Sequence, residues 1–274
     1  MSSSVFVEVH SAAELATLRP LPPIVIGDQF SAADVLDLYE RDGTQHVIQR
    51  SNLALESEKR LSLLMLNEPD LFLSFPLSAI LGPTKPNKQS EVQAAAIQID
   101  ILSVSQKNEI LKQIKAYLET VTQSKSLVYD ISIVADELIT NAIFNAPYVD
   151  PNNTRSGPAR NSNLVEIDLA KQPRFFCGKD SERIIIGVRD AYGTLNTDRL
   201  ISRIQLSYRT NPKDQMSFAE GGAGIGTFMI FESCATFYVG VKKGASTVVC
   251  CAFPTGISSR QRTLMPKNLH VLSL

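Results

Sequence analysis

The chain lacks most of the features that mark common functional classes. Only four of its 274 residues are cysteine: Cys177, Cys234, Cys250 and Cys251. None is spaced C-x-x-C, so neither a zinc site nor a disulfide framework is expected, and buried thiols in a reducing cytoplasm fit better. Its three histidines, His10, His46 and His270, are scattered, and none lies between positions 47 and 269. Charge of one sign is missing as well. The net charge is −1 and the pI about 6.3, which removes any bulk attraction to nucleic acid or anionic membrane. No apolar run approaches the roughly 20 residues that span a bilayer. The start, MSSSVFVEVHSAAE, has no basic stretch leading into an apolar one, so no secretory signal is expected. No G-x-x-x-x-G-K-[ST] loop occurs.

What is present is ordinary globular composition, 44% hydrophobic and 20% charged. Residues 1–85 suggest a small α/β unit. A strand at Pro23–Gly27 precedes a helix from Ala32 to Arg41 with its N-cap at Ser31, and a second strand follows at Gln45–Ile48, parallel to the first. A helix at Glu56–Leu66 closes the unit, and Leu81–Asn87, with two prolines and a glycine, reads as a linker. Residues 90–255 read as a larger domain. Its expected order is a strand at Ala96–Leu102, a helix from about Ser105 and a helix from Leu127 to Ala146. A polar loop at Tyr148–Asn163 and strands at Leu164–Leu169 and Arg183–Arg189 follow. A helix from Thr197, a polar segment Ser207–Glu220, a helix Ile225–Cys234 and strands Thr236–Val241 and Thr247–Phe253 complete it. Residues 256–274 are expected to be a tail.

Three short patterns carry chemistry. On the 127–146 helix, Glu137, Asn141 and Asn145 form a polar line at i, i+4, i+8 beside two apolar ridges. An amide oxygen so placed suits Mg²⁺, which prefers hard oxygen donors, and a carboxylate one turn away can polarise a hydroxyl. Alone, E-x-x-x-N is more often a solvated face. Gly222, Gly224 and Gly226 lead into a helix, and a Gly-rich entrance lets backbone N–H groups meet phosphate oxygens. A plain turn capping a helix is the simpler source of that pattern. Asp190 ends the apolar strand Ile184–Arg189, where a carboxylate can accept from an adenine amino group or merely start a turn.

The order of these patterns, with Asp136-Glu137-Leu138-Ile139-Thr140-Asn141-Ala142, Asp190-Ala191-Tyr192-Gly193 and the glycine segment, resembles the GHKL ATPase superfamily of gyrase, histidine kinases and MutL. Within it, the E-x-x-x-N-A segment is most similar to anti-sigma-factor serine kinases. The resemblance covers about residues 90–255. It implies an α+β fold class: a two-layer α/β sandwich of the Bergerat ATP-binding type, with a mixed, mostly antiparallel sheet covered by helices on one face, here carrying the small N-terminal α/β unit. It implies ATP and Mg²⁺ as cofactors, Glu137 as catalytic base and Asn141 as magnesium ligand. Asn145, Asp190, Gly193, Gly222, Gly224, Ile225, Gly226 and Thr247 would be nucleotide-binding, with Ser207–Glu220 as the ATP lid. Tyr192 departs from the family's D-x-G-x-G pattern, and the 148–163 loop is longer than small members carry.

The function implied is a Mg-ATP-binding regulatory kinase or ATPase of the anti-sigma-factor type, directed at a serine or threonine. Its partner would be a regulatory protein such as a sigma factor or anti-sigma antagonist, with neither nucleic acid nor membrane involved and a homodimer admissible. Without a phosphoacceptor histidine, autophosphorylation of the sensor-kinase kind is not expected. The alternative is a nucleotide-sensing or protein-interaction module with a degenerate pocket. A gyrase-like DNA machine is disfavoured, because the chain has no transducer domain and is near neutral. The N-terminal unit loosely resembles half of a receiver domain.

Overall fold

A computed structural model describes residues 5–9, 14–15, 20–52, 54–82, 96–148, 167–209 and 225–274. The elements follow from local chemistry. Strands β1 (Phe6–Glu8) and β2 (Ile24–Gly27) precede helix α1 (Ala32–Asp42). Ser31 caps α1 in a reciprocal box with Asp34, and Gly43 ends it at φ +68°, the left-handed conformation a helix stop favours. Strand β3 (His46–Gln49) leads into α2 (Leu55–Asn67), then α3 (Pro69–Ser74) and α4 (Pro76–Leu81). The sequence reading stopped at one helix here. Pro69 and Pro76 instead each open a new helix, because a proline at the first helical position has no N–H to lose.

Strand β4 (Ala96–Asp100), α5 (Lys107–Val121) and α6 (Lys125–Phe144) come next, then β5 (Arg174–Lys179), β6 (Arg183–Asp190) and α7 (Thr197–Arg209). The chain continues through α8 (Ile225–Ser233), β7 (Thr236–Lys242), β8 (Ser246–Pro254), α9 (Ser259–Thr263) and β9 (Asn268–Ser273). The strand expected at Leu164–Leu169 falls partly outside the described residues. Its described part turns at Asp168, whose carboxylate accepts from the Ala170 N–H at 2.9 Å, and β5 takes the place beside β6.

The strands form one nine-stranded sheet in the order β1-β2-β3-β9-β7-β8-β6-β5-β4. The first three are parallel, which the strand–helix–strand pattern implied for β2 and β3 only; β4, β5, β6, β8 and β7 are antiparallel neighbours. Strand β9, from the segment expected as a tail, pairs antiparallel with β3 and parallel with β7, so the strands of residues 1–85 and 90–255 share one sheet. The mixed, mostly antiparallel sheet is the expected α+β class.

Side chains alternate across it. Phe175, Ile184 and Ile186 face a core formed with Ile114, Ile131, Ile139, Ile204 and Phe231 from α5–α8. Phe176, Ile185, Tyr238 and Cys250 face the other way, onto Leu61, Met65, Phe72 and Leu77 of α2–α4. The N-terminal unit therefore adds a helical layer on the sheet's second face. Cover on both faces explains why β6 is apolar without alternation from Ile184 to Val188. That second layer is pinned by a buried charge cluster. Glu58 of α2 accepts from Arg183 Nη1 at 2.5 Å and from the Tyr238 hydroxyl at 2.8 Å, with His270 Nε2 3.1 Å from its other oxygen. Burial opposes the charge on Glu58, but His270, Arg183 and Tyr238 outweigh it and lower its pKa. Among the described residues, no helix is long and apolar enough to cross a membrane.

Candidate functional site

The polar line on α6 meets α8 at Glu137. Glu137, Asn141 and Asn145 are all half-buried along one helix edge. The Glu137 carboxylate packs on Gly226, in the first turn of α8, so closely that a Cβ there would overlap it. This approach brings an acid to the electropositive end of a helix, and any side chain at 226 would make the flexible Glu137 carboxylate move aside. One turn along, Asn141 Oδ1 accepts from Asn145 Nδ2 at 2.6 Å, while Asn145 Oδ1 is buried without a hydrogen-bond partner.

The neighbouring turn of α6 is held from α5. Lys107 Nζ lies 2.7 Å from Asp136 Oδ1 and donates to Thr140 Oγ1 at 2.7 Å. Sequence reasoning did not single out Lys107. One signal was available: a lysine at the first position of a helix opposes the helix dipole and needs a partner elsewhere.

Asp190 lies buried at the end of β6, and Thr247 is its register partner on β8. Its carboxylate accepts from the Tyr192 N–H at 2.9 Å, so it does start a turn. Burial pushes its pKa up to about 6; the N–H groups of Tyr192 and Gly193, the Thr247 hydroxyl and Arg189 only partly offset this. Thr247 Oγ1 stands near enough to help hold the carboxylate's charge and is otherwise buried without a hydrogen-bond partner. Gly193 adopts φ +61° and presses on the Lys242 carbonyl, where a Cβ would overlap backbone. Its own carbonyl accepts from Gly244 N–H at 3.1 Å, so this glycine is committed to the β7–β8 turn. Thr194 Oγ1 donates to the Ala146 carbonyl at 2.7 Å, tying the loop after Asp190 to the end of α6 beside Asn145. Lys171 Nζ stands 5.4 Å from the centre of the Tyr192 ring.

The structure thus brings Glu137 to Gly226, Asp190 to Thr247, and the Asp190 loop to the end of α6. Ile225 opens α8. Gly222, Gly224 and most of the expected lid lie outside the described residues, but Ser207 and its neighbours to Arg209 form the last turn of α7. Most of the 148–163 loop is likewise outside.

The donor set can be weighed against ATP and Mg²⁺. Among the described residues no three His, Cys, Asp or Glu side chains gather to hold a metal. Mg²⁺ does not need such a cage, since it is commonly bound by one or two protein oxygens together with phosphates and waters. An unsatisfied amide oxygen at one end and an unsatisfied hydroxyl beside a buried carboxyl at the other fit a ligand carrying both an amino group and metal-bound phosphates.

No family model matches the chain, and no curated protein matches it. Among solved structures it is similar to a chain from the SiaB–SiaC complex of Pseudomonas aeruginosa. The identity is 15%, covering 61% of this chain and 95% of that one, with a TM-score of 0.39. At those values the likeness carries no argument about function.

Proposed function

We propose that the chain is a Mg-ATP-binding regulatory protein of the histidine-kinase-like ATPase type, working in signal transduction as a serine- or threonine-directed protein kinase or ATPase. The observation that carries this reading is the contact of Glu137 with Gly226, which joins the acid-and-amide line of α6 to the glycine entrance of α8. Bound Mg-ATP supplies the phosphoryl group. Asn141 holds the metal through its amide oxygen, which first has to exchange its bond from Asn145. Asp190, with Thr247 beside it, accepts from the adenine amino group. Gly226 leaves space for Glu137, whose carboxylate orients the attacking hydroxyl of a protein partner or of water. Positioning and charge stabilisation then account for rate, as in phosphoryl transfer generally. A sigma factor or anti-sigma antagonist is the proposed partner.

A second reading has its own observation. Tyr192, with Lys171 over its ring, fills a position where a small residue would leave room. That favours a nucleotide-sensing module without turnover. Thermal-shift titration with Mg-ATP, Mg-ADP and adenosine tests both, because a ligand at about 100 times its Kd adds about 2.7 kcal/mol of apparent stability. No shift with any of the three overturns both readings. A shift without release or transfer of labelled γ-phosphate leaves the second.

A further inference from the structure

We propose that the N-terminal α/β unit is the regulatory arm of the α6–α8 site, acting through the grip of α1 on α7. The nucleotide reading enters only in the ligand arm of the test below.

Helix α7 carries two faces with different duties. Ile201 and Ile204 are buried against the main core. Asp198, Ser202, Gln205 and Arg209, at helical spacing, form a polar stripe that meets α1. Each member of the stripe has a partner there. The Tyr39 hydroxyl donates to Asp198 Oδ1 at 2.9 Å and lies 3.1 Å from Thr197 Oγ1. Ser202 Oγ donates to Glu40 Oε1 at 2.6 Å. Asp37 Oδ1 accepts from Gln205 Nε2 and, at 3.1 Å, from Arg209 Nη2. The contact is half-buried, and burial raises the Tyr39 pKa to about 12, so its proton stays available as a donor across the neutral range. A packing contact alone would not need a partner for every polar group in the stripe. This one fixes the rotation and the axial register of α7 against α1.

The last turn of α7 passes that position on to α8. The Tyr208 ring meets Phe228 edge-on with centroids 5.1 Å apart, and Phe231 at 6.3 Å. Its hydroxyl donates to Glu232 Oε2. Helix α8 in turn holds Glu137 against Gly226. A shift or roll of α1 is therefore delivered, through packed side chains and oriented hydrogen bonds, to the helix entrance where the α6 acid rests. The grip is acidic on the α1 side, while the α7 stripe carries one acid and one base, Asp198 and Arg209. It can be loosened by removing charge without opening a cavity.

The experiment compares the full chain with the double variant Asp37→Asn/Glu40→Gln and, as a milder second perturbation, Tyr39→Phe, which removes one hydroxyl. Amide hydrogen exchange is followed in α7 and, separately, in residues 226–233 of α8, whereas the hydrogen bonds and ion pair of the substituted side chains go to α7. Binding of Mg-ADP is measured in parallel. The expected result is an exchange rate in α8 raised about threefold or more in the double variant, and a smaller rise in Tyr39→Phe. That size lies at the lower end of couplings carried between sites by packed networks. Where the wild type binds Mg-ADP, its Kd should move by a similar factor. Faster exchange confined to α7, or an unchanged Kd despite a response in α8, overturns the proposal and leaves α1 a local anchor. A response in α8 with no nucleotide bound by any form supports the regulatory grip and removes the nucleotide reading instead.

Discussion

Replacing Asp190 by asparagine should make the protein more stable at neutral pH. The side chain is 7% exposed, and burial lifts its carboxyl from 3.8 to about 6. A carboxylate with a raised folded pKa favours the native state while protonated. That contribution is complete below the unfolded pKa and is lost as pH climbs through the folded one. A shift of roughly two units is worth about 3 kcal/mol, an upper figure because local opening can relieve the buried charge. Asparagine replaces the carboxylate oxygen that accepts from Tyr192 N–H by an amide oxygen that can do the same, and it never ionises. The stability gap between Asp190→Asn and the wild type should therefore be small near pH 4. It should widen at about 1.4 kcal/mol per pH unit up to about pH 6, then level off. Urea denaturation of both proteins at several pH values between about 4 and 8 measures it. A variant that is less stable at pH 7.5, or a gap that ignores pH, would refute the argument that burial dominates at Asp190. If the side chain reads adenine, the stabilised variant should also lose nucleotide affinity, the trade expected where a functional group is held at a cost to the fold.

Other substitutions probe separate links. Arg183→Met should destabilise by about 3–5 kcal/mol in urea, because it leaves Glu58 charged and buried without its guanidinium; a loss below about 1 kcal/mol would mean that His270 and Tyr238 suffice. Gly193→Ala should cost about 1–3 kcal/mol, since the position needs φ +61° and a Cβ would strike the Lys242 carbonyl; an unchanged melting temperature would show the loop can rebuild. Asn141→Ala should abolish Mg-ATP binding in calorimetry, and undiminished affinity would remove the metal assignment. Glu137→Ala should bind but not turn over, at a loss of about 10²-fold or more in rate. Equal turnover would strip Glu137 of its role as base.

How much was legible depended on range. Helix α1 was readable because its signals are local: Ser31 and Asp34 at one end and Gly43 at the other. Helix α6 showed its apolar ridges through periodicity alone, and β6 announced a central position by an unbroken apolar run. The line of Glu137, Asn141 and Asn145 needed only helical geometry. Strand β5 was missed because Arg174 and Lys179 bracket a short apolar core after Pro173, and its pairing with β6 decides what six residues cannot. Strands β1 and β9 were missed for the same reason, being stabilised by neighbours remote in the chain.

By itself, the sequence determined the elements whose stability is written within a few turns, and the residue types that could meet a nucleotide. Tertiary structure alone decided that β9 joins the two strand groups into one sheet, that α2 carries Glu58 to Arg183, and that Gly226 lies against Glu137. Each of those depends on segments brought together by burying apolar surface over long chain separations, and such pairings leave no local periodicity to read.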